Sequence, residues 1–302
     1  MQQPISKELA RPSSGVNVHW TGAAVKKKVN ALLFHILVIL FGFAMLYPLL
    51  WMISASFKTE AEIFTGIHFL PQNPTLHNYI NGLRGISGHS FLRFFGNSFM
   101  IAFINIVGNV ISCSLAAFAF AKLKFRFSGI MFATMMVTMM LPMHVRFIPQ
   151  YIVFMRLDWI DTFFPLTVPS FFATSGFFIF LLVQFMRGIS NELLEAPRID
   201  GCNTFQIYLH FILPLSVPGL ITVAIFTFIG VWNDFFGQMI YLINPSRFTV
   251  ALALRMFVDA TGHSAWGSLF AMSVLSLIPL FVLFIGFQRY LIEGIQSGSL
   301  KG

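Results

Sequence analysis

A short polar segment, LEAPRIDG, stands out in the sequence because its charged residues lie between long apolar runs. It covers residues 194–201, and its Glu195 and Asp200 carry the carboxylates that general acid and base catalysis uses. No nucleophile with a histidine partner and no metal-ligand spacing accompanies these carboxylates, so the segment is a poor candidate for an active site. Two interpretations remain: a solvated surface helix, or a rigid charged element that docks on a partner protein.

A second set of polar residues lies inside apolar runs, where polar groups are costly. Asn105 and Asn109 are four residues apart and would share one face of a helix. Their amides could bond between helices, or they could line a substrate path, because amides both donate to and accept from hydroxyl groups. Asn233 and Asp234 follow Trp232 and also have two interpretations: anchoring at the membrane boundary, or gating and substrate contact.

The sequence lacks a nucleotide-binding motif. A P-loop needs a glycine followed by lysine to place an ammonium group beside phosphate, and none of the 22 glycines is followed by lysine. The two cysteines, Cys113 and Cys202, lie in different settings and predict neither a disulfide nor a metal site. We therefore expect no enzyme activity, no cofactor and no metal on this chain, and no nucleic-acid partner.

The composition predicts a membrane protein. Hydrophobic residues make up 57% of the 302 residues and charged residues only 10%, whereas soluble domains carry about 25% charged residues. Six apolar runs reach the length of about 20 residues that crosses a bilayer as a helix. They are residues 31–54, 94–121, 129–147, 163–186, 215–242 and 268–292. Because lipid offers no partner to open backbone groups, we expect an all-α, polytopic fold.

The distribution of positive charge predicts the orientation. The turn KLKFRF, residues 122–127, places three cations between the second and third runs, and most of the 19 Lys and Arg residues then lie on the same side as the N-terminus. Such loops stay in the cytoplasm, so both termini are expected there. The expected organisation is a partly disordered N-terminal segment 1–30, a six-helix domain 31–292 with an inner loop 187–213, and a tail 293–302.

Local signals predict two short helices in the inner loop. Ser190 can cap the first helix, and Gly201 supplies its stop. The second helix starts near Asn203 or Thr204 and must end before Pro214. The expected result is a helix, a glycine corner and a second helix, lying outside the membrane.

The spaced pattern across this loop resembles the EAA loop of permease subunits in binding-protein-dependent ABC importers. Glu195 with Ala196, Asp200 with Gly201, and the later ILP at 212–214 stand at the matching positions. Nearly the whole chain resembles the carbohydrate-uptake group, and within it the six-span subunit of maltose-type systems. The segments concerned are FKTEAEIF (57–64), FGNSFMIAF (95–103), SLAAFAFAKLKFRFSG (114–129), FTFIGVWNDFFGQMIYL (226–242) and FQRYLIEGIQSGSLKG (287–302).

The resemblance implies that the inner loop docks on a separate cytoplasmic ATPase, which would hold the ATP and magnesium. Glu195 would be the charged anchor, Ala196 would allow close approach, and Asp200 with Gly201 would shape the corner. Arg198 completes the charged part of this predicted coupling set.

Pro197 departs from the alanine that the family usually has at this position. Proline inside a helix removes a hydrogen bond and costs about 3 kcal/mol. Either the first helix bends at Pro197, or a new helical turn starts there, where proline is welcome.

The resemblance also implies an assembly in a bacterial-type plasma membrane. Its other members would be a second permease subunit, a pair of ATPase subunits and an external solute-binding protein. The C-terminal tail of such relatives can reach the ATPase pair, so a second candidate contact consists of Gly294, Gln296, Ser297 and Gly298.

The expected solute is a carbohydrate. One alternative is another solute, such as a glycerol phosphate or a polyol, on the same architecture. The other alternative is an ion-coupled secondary carrier, a class that often has ten or more spans and carboxylates inside the membrane.

Overall fold

The computed structural model describes residues 22–66, 68–258 and 265–299 of the chain. This part is helical apart from turns, short loops and an isolated bridge between Ile86 and His89, which confirms the all-α prediction. The helices are α1 (Gly22–Ala55), α2 (Glu60–Thr65), α3 (His77–Arg84), α4 (Phe91–Lys122), α5 (Ser128–Met139), α6 (Met143–Arg156), α7 (Phe164–Thr167), α8 (Gly176–Arg187), α9 (Glu192–Ile199), α10 (Thr204–Ile207), α11 (Leu213–Leu215), α12 (Val217–Asn233), α13 (Phe236–Tyr241), α14 (Val250–Met256) and α15 (Trp266–Ser299). A π-helical turn covers Tyr208–Ile212, and 3₁₀ turns cover Val168–Phe172 and Pro245–Arg247.

The chain divides into two units, residues 1–51 and 52–302. Most of α1 belongs to the first unit. Helix α1 begins at Gly22, so residues 22–30 of the predicted N-terminal segment 1–30 are helical. The remainder of that segment, residues 1–21, lies outside the described residues.

Four helical segments are long and apolar enough to cross a membrane, and two bent pairs reach that length together. The four are Lys26–Ala55, Phe91–Lys122, Phe164–Arg187 and Trp266–Tyr290. The pairs are Ser128–Met139 with His144–Arg156, and Thr204–Leu215 with Val217–Asn233. The described residues therefore hold four candidate spans, or up to six if each bent pair counts as one.

The third predicted run, 129–147, is not one straight helix. Its two arms, α5 and α6, are bent by 103°. Pro142 explains the break, since it has no N–H to donate and its ring disfavours helical backbone at Leu141. The 12 residues of α5 span about 18 Å, less than the thickness of the hydrocarbon core.

The fifth predicted run, 215–242, is also interrupted. Helix α12 ends at Asn233, and Asp234 adopts an extended backbone before α13 begins at Phe236. Asp234 Oδ1 accepts the N–H of Gly237 at 2.9 Å. Such a local bond lets an aspartate replace helical hydrogen bonding with a turn.

Helix α4 lies at the centre of the second unit and contacts α8 and α12. One buried apolar cluster lies beside the inner loop and includes Leu182 and Leu194, and a second includes Trp232 and Met272. A Cβ at Gly108 would collide with the Oγ of Ser170, so glycine is required for the 3₁₀ turn to approach α4.

Candidate functional site

Helix α9 carries most of the predicted coupling residues and has two different faces. Leu194 and Pro197, three residues apart, are buried, and Leu194 packs in the apolar cluster beside the inner loop. Glu195 and Arg198 are exposed, and Ile199 is 86% exposed. The helix therefore has an anchored face and a charged, partly apolar free face.

The start of α9 is tied to α4. Ser190 Oγ accepts the N–H of Glu192 at 3.2 Å, but the N-cap position is Asn191, whose side chain makes no capping bond, so the predicted cap lies one residue too early. Lys122, the last residue of α4, donates from Nζ to the carbonyl of Ile189 at 2.6 Å and to Asn191 Oδ1 at 3.0 Å. A lysine ammonium thus holds the chain segment that leads into α9.

A Schellman motif ends α9 at Gly201, as the predicted glycine stop implies. Gly201 has a φ of +83°, the Cys202 N–H donates to the Pro197 carbonyl at 2.9 Å, and the Gly201 N–H donates to the Arg198 carbonyl at 3.2 Å. Asp200 is the last residue before the corner, and its side chain is exposed. The corner is closed by backbone bonds, which leaves its side chains free for contacts.

Pro197 lies inside α9, which is one helix from Glu192 to Ile199. The helix therefore does not restart at the proline, so the second of the two predicted geometries is wrong. The missing donor of Pro197 is offset by burial of its ring on the same face as Leu194.

The second inner helix begins as predicted and ends later than predicted. Asn203 and Gln206 form a capping box, with bonds of 2.8 and 2.9 Å between side chain and backbone in both directions. The helical run continues through the π turn and α11 to Leu215, so the predicted end before Pro214 is wrong. Pro214 follows the π turn directly, and the Leu213 N–H before it still donates to the Tyr208 carbonyl in the wider π spacing.

A cavity of about 660 Å³ brings together three of the four predicted path residues. Asn105 of α4 lines it with Asn233 and Asp234 at the end of α12. Further walls come from α6, α7 and α13. The additional polar and aromatic lining residues are His144, Phe147, Gln150, Phe154, Phe236 and Tyr241.

Asn105 and Asn109, which were predicted to share one helix face, lie in different environments. Asn105 donates from Nδ2 to the carbonyls of Ile101 at 2.9 Å and Leu166 at 2.8 Å, and its side chain lies at the cavity. Asn109 donates from Nδ2 to Thr227 Oγ1 of α12 at 3.3 Å and does not line the cavity. Asn109 therefore makes the helix-to-helix bond that was one of its two interpretations.

The last residues of α12 and the residue after it, Trp232, Asn233 and Asp234, also make different contacts. Trp232 is buried, and its indole N–H donates to the carbonyl of Ser276 at 3.1 Å, so its ring is not an interfacial anchor. Asn233 donates to the Ile229 carbonyl at 2.9 Å. A Cβ at Gly237 would lie 2.5 Å from Asp234 Oδ2, so glycine is needed for the carboxylate to fold over the start of α13.

Sequence reasoning did not identify His144, Gln150 or Tyr241 as cavity residues. The bend between α5 and α6 turns α6 so that His144 and Gln150 reach the cavity. Pro142 is the sequence signal that could have indicated this bend.

An ion pair joins the loop before α7 to the 3₁₀ turn Pro245–Arg247. Arg247 bonds to the Asp161 carboxylate, which also accepts the N–H groups of Ile243 at 3.0 Å and Asn244 at 2.9 Å. Partial burial opposes ionisation of Asp161, but these amides and Arg247 outweigh it, so the pKa of Asp161 lies below its ordinary value. The Asp161 N–H also donates to the carbonyl of Tyr241 at 2.8 Å.

The four predicted tail residues, Gly294, Gln296, Ser297 and Gly298, lie on α15, which continues as a helix to Ser299. Within the described part of the chain, no group of three or more His, Cys, Asp or Glu side chains could hold a metal.

Residues 108–297 match the family described as the binding-protein-dependent transport system inner membrane component. This chain belongs to that family. The match runs from α4 into the last turns of α15 and includes the inner loop and most of the cavity. The chain is therefore a multi-pass membrane permease, a transport component and not an enzyme, and the secondary-carrier alternative is wrong.

Two relatives and one solved structure resemble this permease along most of its length. The arabinooligosaccharides transport system permease protein of Halalkalibacterium halodurans is 30% identical over 284 residues, covering 92% of this chain and 100% of that protein. The sn-glycerol-3-phosphate transport system permease protein of Brucella abortus is 29% identical over 276 residues, covering 89% of this chain and 97% of that protein. A chain of a bacterial ABC transporter involved in import of the acidic polysaccharide alginate has a TM-score of 0.78 at 23% identity. The match covers 88% of this chain and 97% of that chain. That structural match shows the ABC-importer permease fold.

Proposed function

We propose that this permease carries a carbohydrate in an ATP-driven importer and is coupled to a separate ATPase through α9 and the corner at Gly201. The observation that carries the coupling role is the division of α9, which buries Leu194 and Pro197 and exposes Glu195 and Arg198. The carbohydrate is supported by the name of the arabinooligosaccharides relative.

The free face of α9 supplies the contacts to the ATPase. Glu195 is the charged anchor, and the small side chain of Ala196, exposed beside it, allows close approach. Arg198 adds a second charge, and Asp200 with Gly201 forms the corner. ATP and magnesium belong to the partner, since this chain has no P-loop lysine.

The anchored face of α9 makes the segment a rigid lever. Leu194 belongs to the same buried cluster as Met186 of α8 and Ile212 of the π turn, so a push on α9 meets packed side chains. Lys122 ties its start to α4. A short helix held in this way passes domain movement into the membrane as a rigid-body shift.

The remaining partners follow from the proposed importer. A second permease subunit completes the membrane part, and an external binding protein delivers the solute to the outer loops, including 57–93. The inner loop and both termini face the cytoplasm, supported by the cations of KLKFRF. The segment containing Gly294, Gln296, Ser297 and Gly298 is a second contact to the ATPase pair.

The solute path includes Asn105, Asn233 and Asp234, which line one cavity. Asn109, the fourth predicted residue, joins α4 to α12 through Thr227.

Charge reversal at Glu195 tests the coupling role. Uptake and ATP hydrolysis are measured in the complete importer with Glu195→Lys, and Lys124→Glu is the control because it reverses a charge on an exposed side chain in the turn between α4 and α5, outside the proposed contacts. We expect Glu195→Lys to lower solute transported per ATP at least ten-fold while the complex still assembles, and Lys124→Glu to leave this ratio unchanged. Wild-type coupling in Glu195→Lys would refute the role.

A second candidate solute is a glycerol phosphate, because the Brucella abortus relative is named for sn-glycerol 3-phosphate. Uptake of labelled sugar and of labelled sn-glycerol 3-phosphate by the same importer distinguishes the two candidates.

A further inference from the structure

The cavity contains a buried polar group without a protein partner. Tyr241 is 3% exposed, and its hydroxyl makes no hydrogen bond to any described residue. Buried hydroxyl groups are almost always bonded in folded proteins, so a lone one at a cavity wall indicates a ligand contact. The volume of about 660 Å³ lies within the range of about 300 to 1,000 Å³ that is usual for small-molecule sites.

The polar groups around Tyr241 can both donate and accept. Asp234 uses Oδ1 for the Gly237 N–H, and its Oδ2 makes no hydrogen bond to a described residue. The amide of Gln150, also exposed at the cavity, offers a donor and an acceptor. A solute with several hydroxyl groups can satisfy such a mixed set.

An aromatic wall faces these polar groups. The rings of Phe147 and Phe236 meet edge to face with centroids 5.3 Å apart, and the ring of His144 meets Phe236 at the same centroid distance of 5.3 Å. Aromatic rings provide apolar surface on which the C–H face of a sugar ring can pack.

The charge of the wall argues against an anionic solute. Among the described lining residues there is no Lys or Arg, and Asp234 is the acidic one. A phosphate ester bound beside Asp234 would meet a like charge without an arginine or lysine to pair with.

We propose that this chain itself binds a neutral, polyhydroxylated sugar unit during transit, with the Tyr241 hydroxyl and the Asp234 carboxylate as its hydrogen-bonding groups. The assignment rests on the proposed import function and deepens it, because it places direct solute contacts on this subunit. It also selects neutral sugars over glycerol phosphates.

The experiment changes one polar side chain at a time. Uptake of labelled maltotriose, arabinotriose and sn-glycerol 3-phosphate is measured in cells that carry the complete importer. Tyr241→Phe is compared with Tyr151→Phe, which makes the same change on a ring stacked on Tyr241 at 6.4 Å but outside the cavity lining. Asp234→Asn keeps an acceptor for the Gly237 N–H and removes the charge.

We expect Tyr241→Phe to lower the maximal rate of sugar uptake about three- to ten-fold, the usual effect of one lost hydrogen bond. Asp234→Asn, which removes a charged acceptor, lowers it about ten- to hundred-fold. The half-saturating concentration stays constant because capture by the external binding protein sets it. Uptake by Tyr151→Phe stays at the wild-type value, because Tyr151 does not line the cavity.

Two results would overturn the inference, and they are distinguishable. If Tyr241→Phe, Asp234→Asn and Tyr151→Phe all took up sugar at the same rate, the proposed sugar contacts in the cavity would be refuted. The proposed import function would be unaffected by that result. Uptake of sn-glycerol 3-phosphate without uptake of either sugar would refute the proposed carbohydrate function itself.

Discussion

The side-chain hydroxyl of Tyr208 lies 2.7 Å from that of Ser114, and this hydrogen bond joins residues 94 positions apart in the sequence. Tyr208 belongs to the π turn that follows the second inner helix, and Ser114 belongs to α4. Both side chains are buried, and the Tyr208 ring also packs against Phe118 at 5.2 Å. The inner loop is thus bonded to the central helix of the second unit.

Substitutions at Tyr208 and Ser114 should have non-additive effects on the free energy of unfolding. We expect Tyr208→Phe and Ser114→Ala each to lower the free energy of unfolding by about 1 to 2 kcal/mol, since each leaves a buried partner without its bond. Because both changes break the same bond, the double variant should lose at least about 0.5 kcal/mol less than the sum. Thermal unfolding of the purified complex in detergent measures this, and additive losses would contradict a direct bond.

The two faces of α9 should respond differently to the same kind of truncation. Leu194→Ala empties a position that is 1% exposed, and we expect a loss of about 2 to 5 kcal/mol in stability. Ile199→Ala changes a side chain that is 86% exposed, so stability should be unchanged while affinity for the ATPase falls. Unfolding and co-purification with the ATPase measure the two effects. Loss of stability in Ile199→Ala with normal ATPase binding would contradict the assignment of the faces.

The left-handed corner should tolerate only glycine well. A Cβ at Gly201 would meet no described atom within 4 Å, so the penalty for Gly201→Ala comes from its φ of +83°. We expect a loss of about 1 to 2 kcal/mol and weaker coupling of ATP hydrolysis to transport. Gly129→Ala, in the exposed first turn of α5 and also without a neighbour within 4 Å, should be neutral or slightly stabilising. Equal effects of the two substitutions in thermal unfolding would disprove this explanation.

The ion pair of Asp161 with Arg247 should make stability depend on pH. Because the pKa of Asp161 is lowered in the folded protein, its contribution is fully present above the unfolded value of about 3.9 and is lost as the pH falls through the folded value. We expect wild type to exceed Asp161→Asn in melting temperature by a constant amount between pH 5 and 7, and this difference to shrink below about pH 4.

Asp158→Asn is the control for this pH dependence, since it makes the same change on an exposed side chain in the same loop. It should leave the melting temperature at wild-type values throughout. A difference between wild type and Asp161→Asn that grows toward acid would contradict the sign of the shift.

The local signals of the inner loop were sufficient to predict most of its geometry. Ser190, Gly201 and the Asn203 cap act through hydrogen bonds to neighbours within a few residues, so their effect can be inferred from spacing. The end of the second helix was mistaken because the wider spacing of the π turn carries the helical run through Pro214.

The sequence by itself determined the class of the protein, its apolar runs and the inner loop, because hydropathy, caps and glycine corners act over short distances. Tertiary structure decided which polar residues share a site. Asn105 and Asn109 lie on one helix, yet packing of α7 and the bend before α6 place the first at the cavity, and Thr227 of α12 engages the second. Tyr241 joins the same cavity from α13, since the break at Asp234 redirects the chain. The cavity brings together residues up to 136 positions apart, an arrangement that no local sequence pattern encodes.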